Sequence, residues 1–226
     1  MRYFDITEQQ KKEKRLSEQP SWVQQFFKNT PTVHDVYDDL LIPYITRDNV
    51  LLDAGCGKKG IMKKYTGQFR YAVGIDLSFA AIKQNTSLDS YVVGDLPHLP
   101  FASETFNIII SQWAVEHLFD PMACLQEFYR VLKRGGGVIL VTNSIYNPLM
   151  FFSAIFPEKL RDRIKNRLLP PEIEEDTFPT YYRCNSLKTM EKMCQDIGFL
   201  KVYDGYIGDT SFFIFSKWLF PFLIFY

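Results

Sequence analysis

The feature that most constrains this chain is an alternation, from residue 50 onward, of short apolar runs with amphipathic segments. The apolar runs cover residues 50–55, 71–78, 91–96, 106–113 and 138–144. Each is short enough for a strand, and the fourth is too apolar to have a solvent-facing side. This pattern predicts a parallel sheet with helices on both faces, and right-handed crossovers make such a sheet doubly wound.

The remaining segments fit around this core as parts of one domain. The chain has 226 residues, which is enough for one domain with a two-sided core. We predict a single domain over 1–226, and its parts are N-terminal helices (1–47), the strand-rich core (48–144), an insertion after the fifth strand (145–184), and a last helix with a closing hairpin (185–226). Because the insertion follows a strand, we expect it to cap the carboxyl edge of the sheet, where ligands bind in such folds.

Composition excludes several classes of protein. Lysine and arginine together number 26, as do aspartate and glutamate, so the zero net charge gives no support for binding nucleic acid. The four cysteines form no CxxC pair, and we therefore predict reduced thiols and no metal site. The charged N-terminal sequence has no apolar signal core, which predicts a cytoplasmic protein.

The sequence LLDAGCGKKG, residues 51–60, ends the first predicted strand with a charge followed by glycines. Glycine lets the backbone adopt conformations closed to other residues and lets a ligand approach the main chain closely. We predict a tight turn at Gly55 and Gly57, then a helix over 58–66. The glycine spacing alone is weak evidence for a ligand, because an ordinary turn has the same pattern.

Acidic residues at three successive predicted strand ends strengthen the case for a ligand. Asp53, Asp76 and Asp95 end the first, second and third strands. A carboxylate in the position of Asp76 can accept both hydroxyls of a ribose, although it could also cap the following helix. Three carboxylates on one edge repel each other, whereas a ligand with an amine, a ribose and an adenine amino group would satisfy all three.

The charge at Asp53 helps to distinguish between nucleoside ligands. Dinucleotide enzymes share the glycines and the acidic end of the second strand. A pyrophosphate is disfavoured beside Asp53, whereas a cation is favoured there. S-adenosylmethionine carries an ammonium, a sulfonium and an adenosine and has no phosphate, so this pattern favours it over NAD.

The segment from about 50 to 144 resembles a class I S-adenosylmethionine-dependent methyltransferase. The similar motifs, in family order and spacing, are LLDAGCGKKG, VGIDLS, VVGDLPHLPFASETFNIIISQWAVEHLFDP and EFYRVLKRGGGVILVTNS. The resemblance covers under half of the chain. It implies a Rossmann-like sheet of seven strands whose last strand is antiparallel.

The resemblance also implies site residues. The implied cofactor-binding residues are Asp53, Ala54, Gly55, Cys56 and Gly57 at the methionine end, Asp76 at the ribose, Leu77, Asp95 and Leu96 at the adenine, and Gln112 and Trp113 beside the sulfonium. His117 matches a histidine that is common after the fourth strand in this family. We take His117 and Tyr182 as the candidate catalytic residues for an acceptor that must lose a proton; His34 and Asp95 are further candidates for the base.

The expected reaction is methyl transfer to a small-molecule or lipid-like acceptor by in-line displacement. The basic, amphipathic sequence within residues 149–169 and the aromatic C-terminal tail could rest on a membrane surface, or they could form a cap and a tail packed on the sheet. Lys58 and Lys59 stand where the family usually has a small polar residue and a glycine. This departure supports a non-catalytic cofactor sensor or scaffold as the alternative, and an NAD-dependent oxidoreductase is the less favoured one.

Overall fold

The computed structural model describes residue 31 and residues 33–58, 61–145 and 178–207. Its strands are Val50–Ala54 (β1), Tyr71–Asp76 (β2), Ser90–Val93 (β3), Phe106–Gln112 (β4) and Leu132–Val141 (β5). They form one sheet in the order β3-β2-β1-β4-β5, and all four pairings are parallel. The predicted Rossmann-like parallel sheet is therefore confirmed for these five strands.

Helices and short helical turns connect the strands. The α-helices of the described residues are Val33–Leu41 (α1), Phe79–Ile82 (α2), Pro121–Val131 (α3) and Leu187–Ile197 (α4). Side chains that accept a backbone N–H begin three of them: Ser78 caps α2, Asp120 caps α3 and Ser186 caps α4. Gly198, with a φ of 112°, ends α4 in the left-handed conformation that favours glycine.

The sheet separates two apolar cores, because successive side chains of a strand point to opposite faces. On one face, Leu51 of β1 and Ile108 of β4 pack with Tyr37 and Leu41 of α1. On the other face, the buried side chains of the strands pack with those of α3, and the apolar stripe of α4 packs against them. The two layers leave the carboxyl edge of the sheet as the place where the chain can present polar groups.

Three predicted boundaries are wrong. The described residues after the glycine loop contain a five-residue 3₁₀ helix, Ile61–Tyr65, in place of an α-helix over 58–66. The sequence PMACLQEFYRVLKRGGG, residues 121–137, predicts a helix that its glycines end, whereas helix α3 ends at Val131 and the glycines lie inside β5, where the register with β4 is irregular. Strand β3 ends at Val93, so Asp95 follows the strand end by two residues.

Several expectations lie outside the described residues. They are the helix predicted around residues 21–29, most of the insertion including 149–169, and the second arm of the closing hairpin with the aromatic tail. Residues 199–207, the first predicted arm, contain no strand. The seventh strand, its antiparallel direction and the cap therefore remain predictions. Within the described ranges, no helix is both long enough and apolar enough to cross a bilayer.

Replacing a fully buried side chain of α3 should measure how strongly this helix holds the sheet. Phe128 is 0% exposed, so Phe128→Ala should lower the free energy of unfolding by about 3–5 kcal/mol through lost burial and a residual cavity. Gln126→Ala, on the exposed side of the same helix, should change it by less than about 0.5 kcal/mol. Urea denaturation measures both; a loss below about 1 kcal/mol for Phe128→Ala would contradict this packing.

Candidate cofactor and active site

The candidate site lies at the carboxyl edge of the sheet, where the strand order changes direction. Strand β1 is the central strand, with β2 on one side and β4 on the other. The chain leaves β1 toward β2 and later returns to β4, and open α/β sheets bind ligands at such a switch point. Asp53, Asp76 and Gln112, from β1, β2 and β4, all lie at this edge.

Asp53 is a buried carboxylate for which the described residues supply no partner. Its residue is 6% exposed, and among those residues it has neither a hydrogen-bond donor nor a cation within ion-pair distance. Burial, followed by the nearby charge of Asp76, raises the pKa of Asp53 from 3.8 to about 7. An isolated buried carboxylate is costly, so a cationic group of a ligand would relieve the cost that the described part of the protein leaves uncompensated.

Tyr37 of α1 lies beside this carboxylate. Burial, and then the charge of Asp53, raise the pKa of the Tyr37 phenol, while a hydrogen bond with Gln112 acts in the opposite direction. The next residue, Asp38, forms an ion pair with Lys64 and accepts a hydrogen bond of 2.7 Å from the Tyr65 hydroxyl. These contacts fix α1 against the segment that follows the glycine loop, and they hold Tyr37 over the site.

The glycine loop has the backbone that its sequence predicts. Gly55 has a φ of 78°, and a Cβ there would lie 2.5 Å from the Cβ of Ala114. Gly57 has a φ of 52°, and a Cβ there would meet nothing within 4 Å. Gly55 is therefore required by close packing, whereas at Gly57 the positive φ, and not a close contact, favours glycine.

Two backbone N–H groups engage both carboxylate oxygens of Asp76. Gly57 N–H donates to Oδ2 at 2.9 Å, and Ser78 N–H donates to Oδ1 at 2.8 Å. Ser78 itself caps α2 through its hydroxyl, so the capping role considered for Asp76 belongs to Ser78. Because a carboxylate oxygen can accept more than one hydrogen bond, Asp76 keeps acceptor capacity for two ribose hydroxyls.

The expected adenine side is partly apolar surface. Leu77 is 56% exposed and Val93 is 53% exposed, which gives the carboxyl ends of β2 and β3 an uncovered apolar area. Leu96 lies in the core instead, at 6% exposure, and Asp95 is exposed beside it. The segment that follows Leu96 is held in place by Arg130, whose guanidinium donates to the carbonyls of Phe101 and Leu99 at 2.8 and 3.1 Å.

The chain leaving β4 carries the other expected site residues. Ser111 donates to the Ala54 carbonyl at 2.8 Å and joins the ends of β4 and β1. Trp113 follows with a φ of 56°, in a conformation that is uncommon for a residue with a Cβ, and it is 42% exposed. Backbone outliers of this kind cluster at functional sites, and the place of Trp113 beside the sulfonium remains a prediction.

His117 and Tyr182 are brought to one place by the return of the insertion. His117 Nδ1 lies 3.2 Å from the Pro179 carbonyl, and because a carbonyl can only accept, Nδ1 carries the hydrogen. In the neutral ring, Nε2 is then the nitrogen that can accept a proton. The N–H of Tyr182 donates to the Glu116 carbonyl at 3.3 Å, so Tyr182 is tethered to the turn that carries His117.

A buried network anchors both ends of the insertion to this turn. Glu116 is 1% exposed, and its carboxylate accepts from the Thr142 hydroxyl at 2.7 Å and the Asn143 amide at 2.9 Å. The Asn185 amide donates to the Thr142 hydroxyl and to the Asn143 carbonyl, both at 2.7 Å. The insertion therefore leaves and rejoins the core at the same point, directly beside the candidate catalytic residues.

The sequence analysis missed Glu116, Asn185 and a third buried polar residue, Asn85, which lies under the glycine loop at 4% exposure. Single polar residues in turns give no periodic signal. The available hint for Glu116 was its position next to His117, and for Asn85 it was a polar residue directly after a short amphipathic segment.

A glycine loop, the Asp76 carboxylate and the buried Asp53 carboxylate thus lie together at the switch point of a Rossmann-like sheet. Comparison with known proteins shows which family this part of the chain is similar to. Residues 52–140 match the model of the methyltransferase domain family. Over this range the chain is similar to class I S-adenosylmethionine-dependent methyltransferases.

Curated relatives agree with this assignment. Malonyl-[acyl-carrier protein] O-methyltransferase of Yersinia pestis is 32% identical over 96 residues, which are 41% of this chain and 36% of that protein. Demethylmenaquinone methyltransferase of Chlamydia trachomatis is 27% identical over 134 residues, covering 55% of this chain and 58% of that protein. The chain thus matches less than two thirds of the length of either relative.

Solved structures share the fold. A protein of Bacillus halodurans that was assigned as a candidate methyltransferase has a TM-score of 0.51 and 25% identity, covering 73% of this chain and 68% of that one. The YcgJ protein of Bacillus subtilis also has a TM-score of 0.51, with 20% identity, covering 70% of this chain and 66% of that one.

The orphan carboxylate should make the ligand-free protein less stable as the pH rises. With a pKa raised from 3.8 to about 7, folded Asp53 keeps its proton while the unfolded chain loses it, so stability falls between about pH 4 and pH 7. Asp53→Asn should therefore raise the free energy of unfolding at pH 8 by about 1–4 kcal/mol, with a difference that shrinks toward pH 4. Chemical denaturation as a function of pH measures this.

Asp39→Asn, which changes an exposed carboxylate on α1, serves as the control and should leave the pH profile of stability as in the unchanged protein. A destabilised Asp53→Asn protein at pH 8 would show that Asp53 has a stabilising partner and would contradict its orphan character.

Proposed function

We propose that this chain transfers a methyl group from S-adenosylmethionine to a small-molecule or lipid-linked acceptor by in-line displacement. The observation that carries the proposal is the buried Asp53 carboxylate directly before the glycine loop, for which the described residues offer no partner. A ligand whose nearest group is an ammonium stabilises this carboxylate, whereas a pyrophosphate would be repelled by it.

We assign described residues to each part of the cofactor. Asp53 and the loop from Ala54 to Gly57 would hold the methionine end, with the open side of Gly57 turned to the ligand. Asp76, already oriented by Gly57 N–H, would accept the ribose hydroxyls. Leu77 would cover the adenine, and Asp95 would accept from its amino group. When bound, the cofactor supplies an electrophilic methyl group on a sulfonium, whose departure as a neutral thioether needs no acid.

The contribution of the protein to the rate is therefore alignment and exclusion of water. Effective molarities for well-aligned reactants correspond to about 7–11 kcal/mol of a barrier. Tyr37 lies near the buried carboxylate and hydrogen-bonds with Gln112, and Trp113, which follows Gln112, is partly exposed. The insertion, anchored beside them through Glu116 and Asn185, would cover the acceptor.

His117 is our candidate for the base when the acceptor must lose a proton. Its Nδ1–H is engaged by the Pro179 carbonyl, which orients the ring and leaves Nε2 as the proton acceptor. Tyr182, tethered to the same turn, would contact the acceptor.

The proposed acceptor class rests on the relatives and on the aromatic side chains next to the turn that carries His117. The relatives' names give malonyl-[acyl-carrier protein] and demethylmenaquinone as their acceptors. In this chain, Phe119 is 62% exposed and Tyr181 is 43% exposed, and the Arg183 guanidinium stacks 3.9 Å from the centre of the Phe119 ring. Such an aromatic rim suits an acceptor with an apolar part. Contact with a membrane surface through 149–169 and the tail remains a proposal.

Binding should distinguish this function from NAD-dependent chemistry. Calorimetry should show binding of S-adenosylmethionine and S-adenosylhomocysteine and none of NAD. Asp76→Ala should weaken the binding of S-adenosylhomocysteine at least tenfold, because charge-assisted hydrogen bonds are worth about 1.5–3 kcal/mol each. Asp196→Ala, at an exposed ion pair on α4, is the control and should leave affinity unchanged. Preference for NAD would refute the proposal.

Turnover should distinguish an enzyme from a cofactor sensor. Cell extract incubated with the protein and methyl-labelled cofactor should yield a labelled product by mass spectrometry. His117→Asn keeps a side-chain donor for the Pro179 carbonyl and removes Nε2, so kcat should fall about 10²–10⁴-fold with unchanged cofactor affinity. An unchanged kcat would limit His117 to tethering, and the absence of any labelled product would favour the sensor.

A further inference from the structure

A buried amide supports the glycine loop from below. Asn85 follows α2 and is 4% exposed. Its Nδ2 group donates to the carbonyls of Cys56 and Gly57, both at 3.1 Å. Both hydrogens of the amide are thus used on two successive carbonyls of the loop that we propose to hold the methionine end of the cofactor.

The other end of the amide fixes its orientation. Asn85 Oδ1 accepts from the Ser87 N–H at 3.1 Å, the Ser87 hydroxyl at 2.7 Å and the Tyr91 hydroxyl at 3.1 Å. A flipped amide would turn its oxygen toward two carbonyl oxygens and its hydrogens toward the Ser87 N–H, and none of these three groups could pair with it, although the two hydroxyls could turn to accept. The side chain is therefore held in one orientation by its surroundings.

Residues of β2 and of the segment leading into β3 form the surface on which Cys56 packs. Gly74 of β2 lies beneath the loop, and a Cβ there would lie 2.8 Å from Cys56 Sγ, 2.7 Å from Leu88 Cδ1 and 3.0 Å from Tyr91 Cδ1. Tyr91 in turn accepts from the Leu88 N–H at 2.9 Å. The loop thus rests on β2 and on the segment leading into β3, so its backbone is held by contacts distant in sequence.

We propose that Asn85 is the positioning residue of the cofactor loop. By holding the carbonyls of Cys56 and Gly57, it directs the Gly57 N–H to the Asp76 carboxylate and leaves the open side of the loop toward the ligand. Asn85 itself is buried and touches neither the cofactor nor the acceptor. This inference rests on the proposed function, since it assigns the loop to S-adenosylmethionine.

The chain offers a matched control for the test. Asn185 is 3% exposed, and its amide also donates to two acceptors, but these are Thr142 and Asn143 at the ends of the insertion. Asn85→Asp and Asn185→Asp each keep the shape of the side chain and remove the two donors. Stability, affinity for S-adenosylhomocysteine and backbone hydrogen exchange should be measured on the full chain for both variants.

We expect Asn85→Asp to weaken S-adenosylhomocysteine binding at least tenfold at pH 8 and to speed hydrogen exchange at Gly55–Gly57. Asn185→Asp should change this affinity less than threefold, even where its loss of stability is the same. Because burial favours the neutral form of a carboxyl, we expect the introduced carboxyl to regain a proton, and with it one donor, as the pH is lowered to 5.5. The deficit of Asn85→Asp, relative to the unchanged protein at the same pH, should then shrink. A purely structural asparagine would show none of this selectivity.

Unchanged affinity and exchange in Asn85→Asp, or equal weakening in both variants, would overturn the proposal. If Asn85→Asp fails to fold, Ser87→Ala decides, because it removes one donor to Asn85 Oδ1; it should weaken binding twofold to fivefold, and unchanged binding would overturn the proposal. Should the unchanged protein bind no S-adenosylhomocysteine, the proposed function fails, while hydrogen exchange at the loop still decides the role of Asn85.

Discussion

The structure of this site depends on one unfavourable electrostatic feature, a buried carboxylate that the described protein does not neutralise. Asp53 lies on the central strand at the switch point of the sheet, and burial raises its pKa to about 7. Burying an uncompensated charge lowers the stability of a fold, so sequences place one only where a function requires it. We propose that the requirement here is a cationic ligand, and the glycine loop immediately after Asp53 would give that ligand access to the backbone.

The residues around Asp53 are connected so that the glycine loop, Asp76 and the turn that carries His117 keep a common geometry. Asn85 supports the loop, and the loop orients Asp76. Helix α1 is fixed by Asp38 and carries Tyr37 to the buried carboxylate. On the acceptor side, Glu116 ties the turn of His117 to both ends of the insertion. Reactions whose rate depends on alignment need this kind of preorganisation.

The sequence predicted the parts of this molecule that depend on periodicity and local turn chemistry. The five parallel strands, helices α1 and α4, and the turn at Gly55 follow from patterns within a few residues. The α-helix predicted after the glycine loop was wrong, because only a short 3₁₀ helix forms there. The predicted end of α3 at the glycines was also wrong, because residues 132–137 belong to strand β5. The roles of Asn85 and Glu116 could not be predicted, because the loop carbonyls that Asn85 binds and the side chains that donate to Glu116 lie 26 to 29 residues away in the chain.

The most direct test is a crystal structure of the protein with S-adenosylhomocysteine. Our account predicts the ligand's amino group within ion-pair distance of the Asp53 carboxylate, its ribose hydroxyls on Asp76, and its methionine backbone along Gly55–Gly57. A ligand bound elsewhere, or one bound at this edge with Asp53 still buried and without a cation, would contradict it.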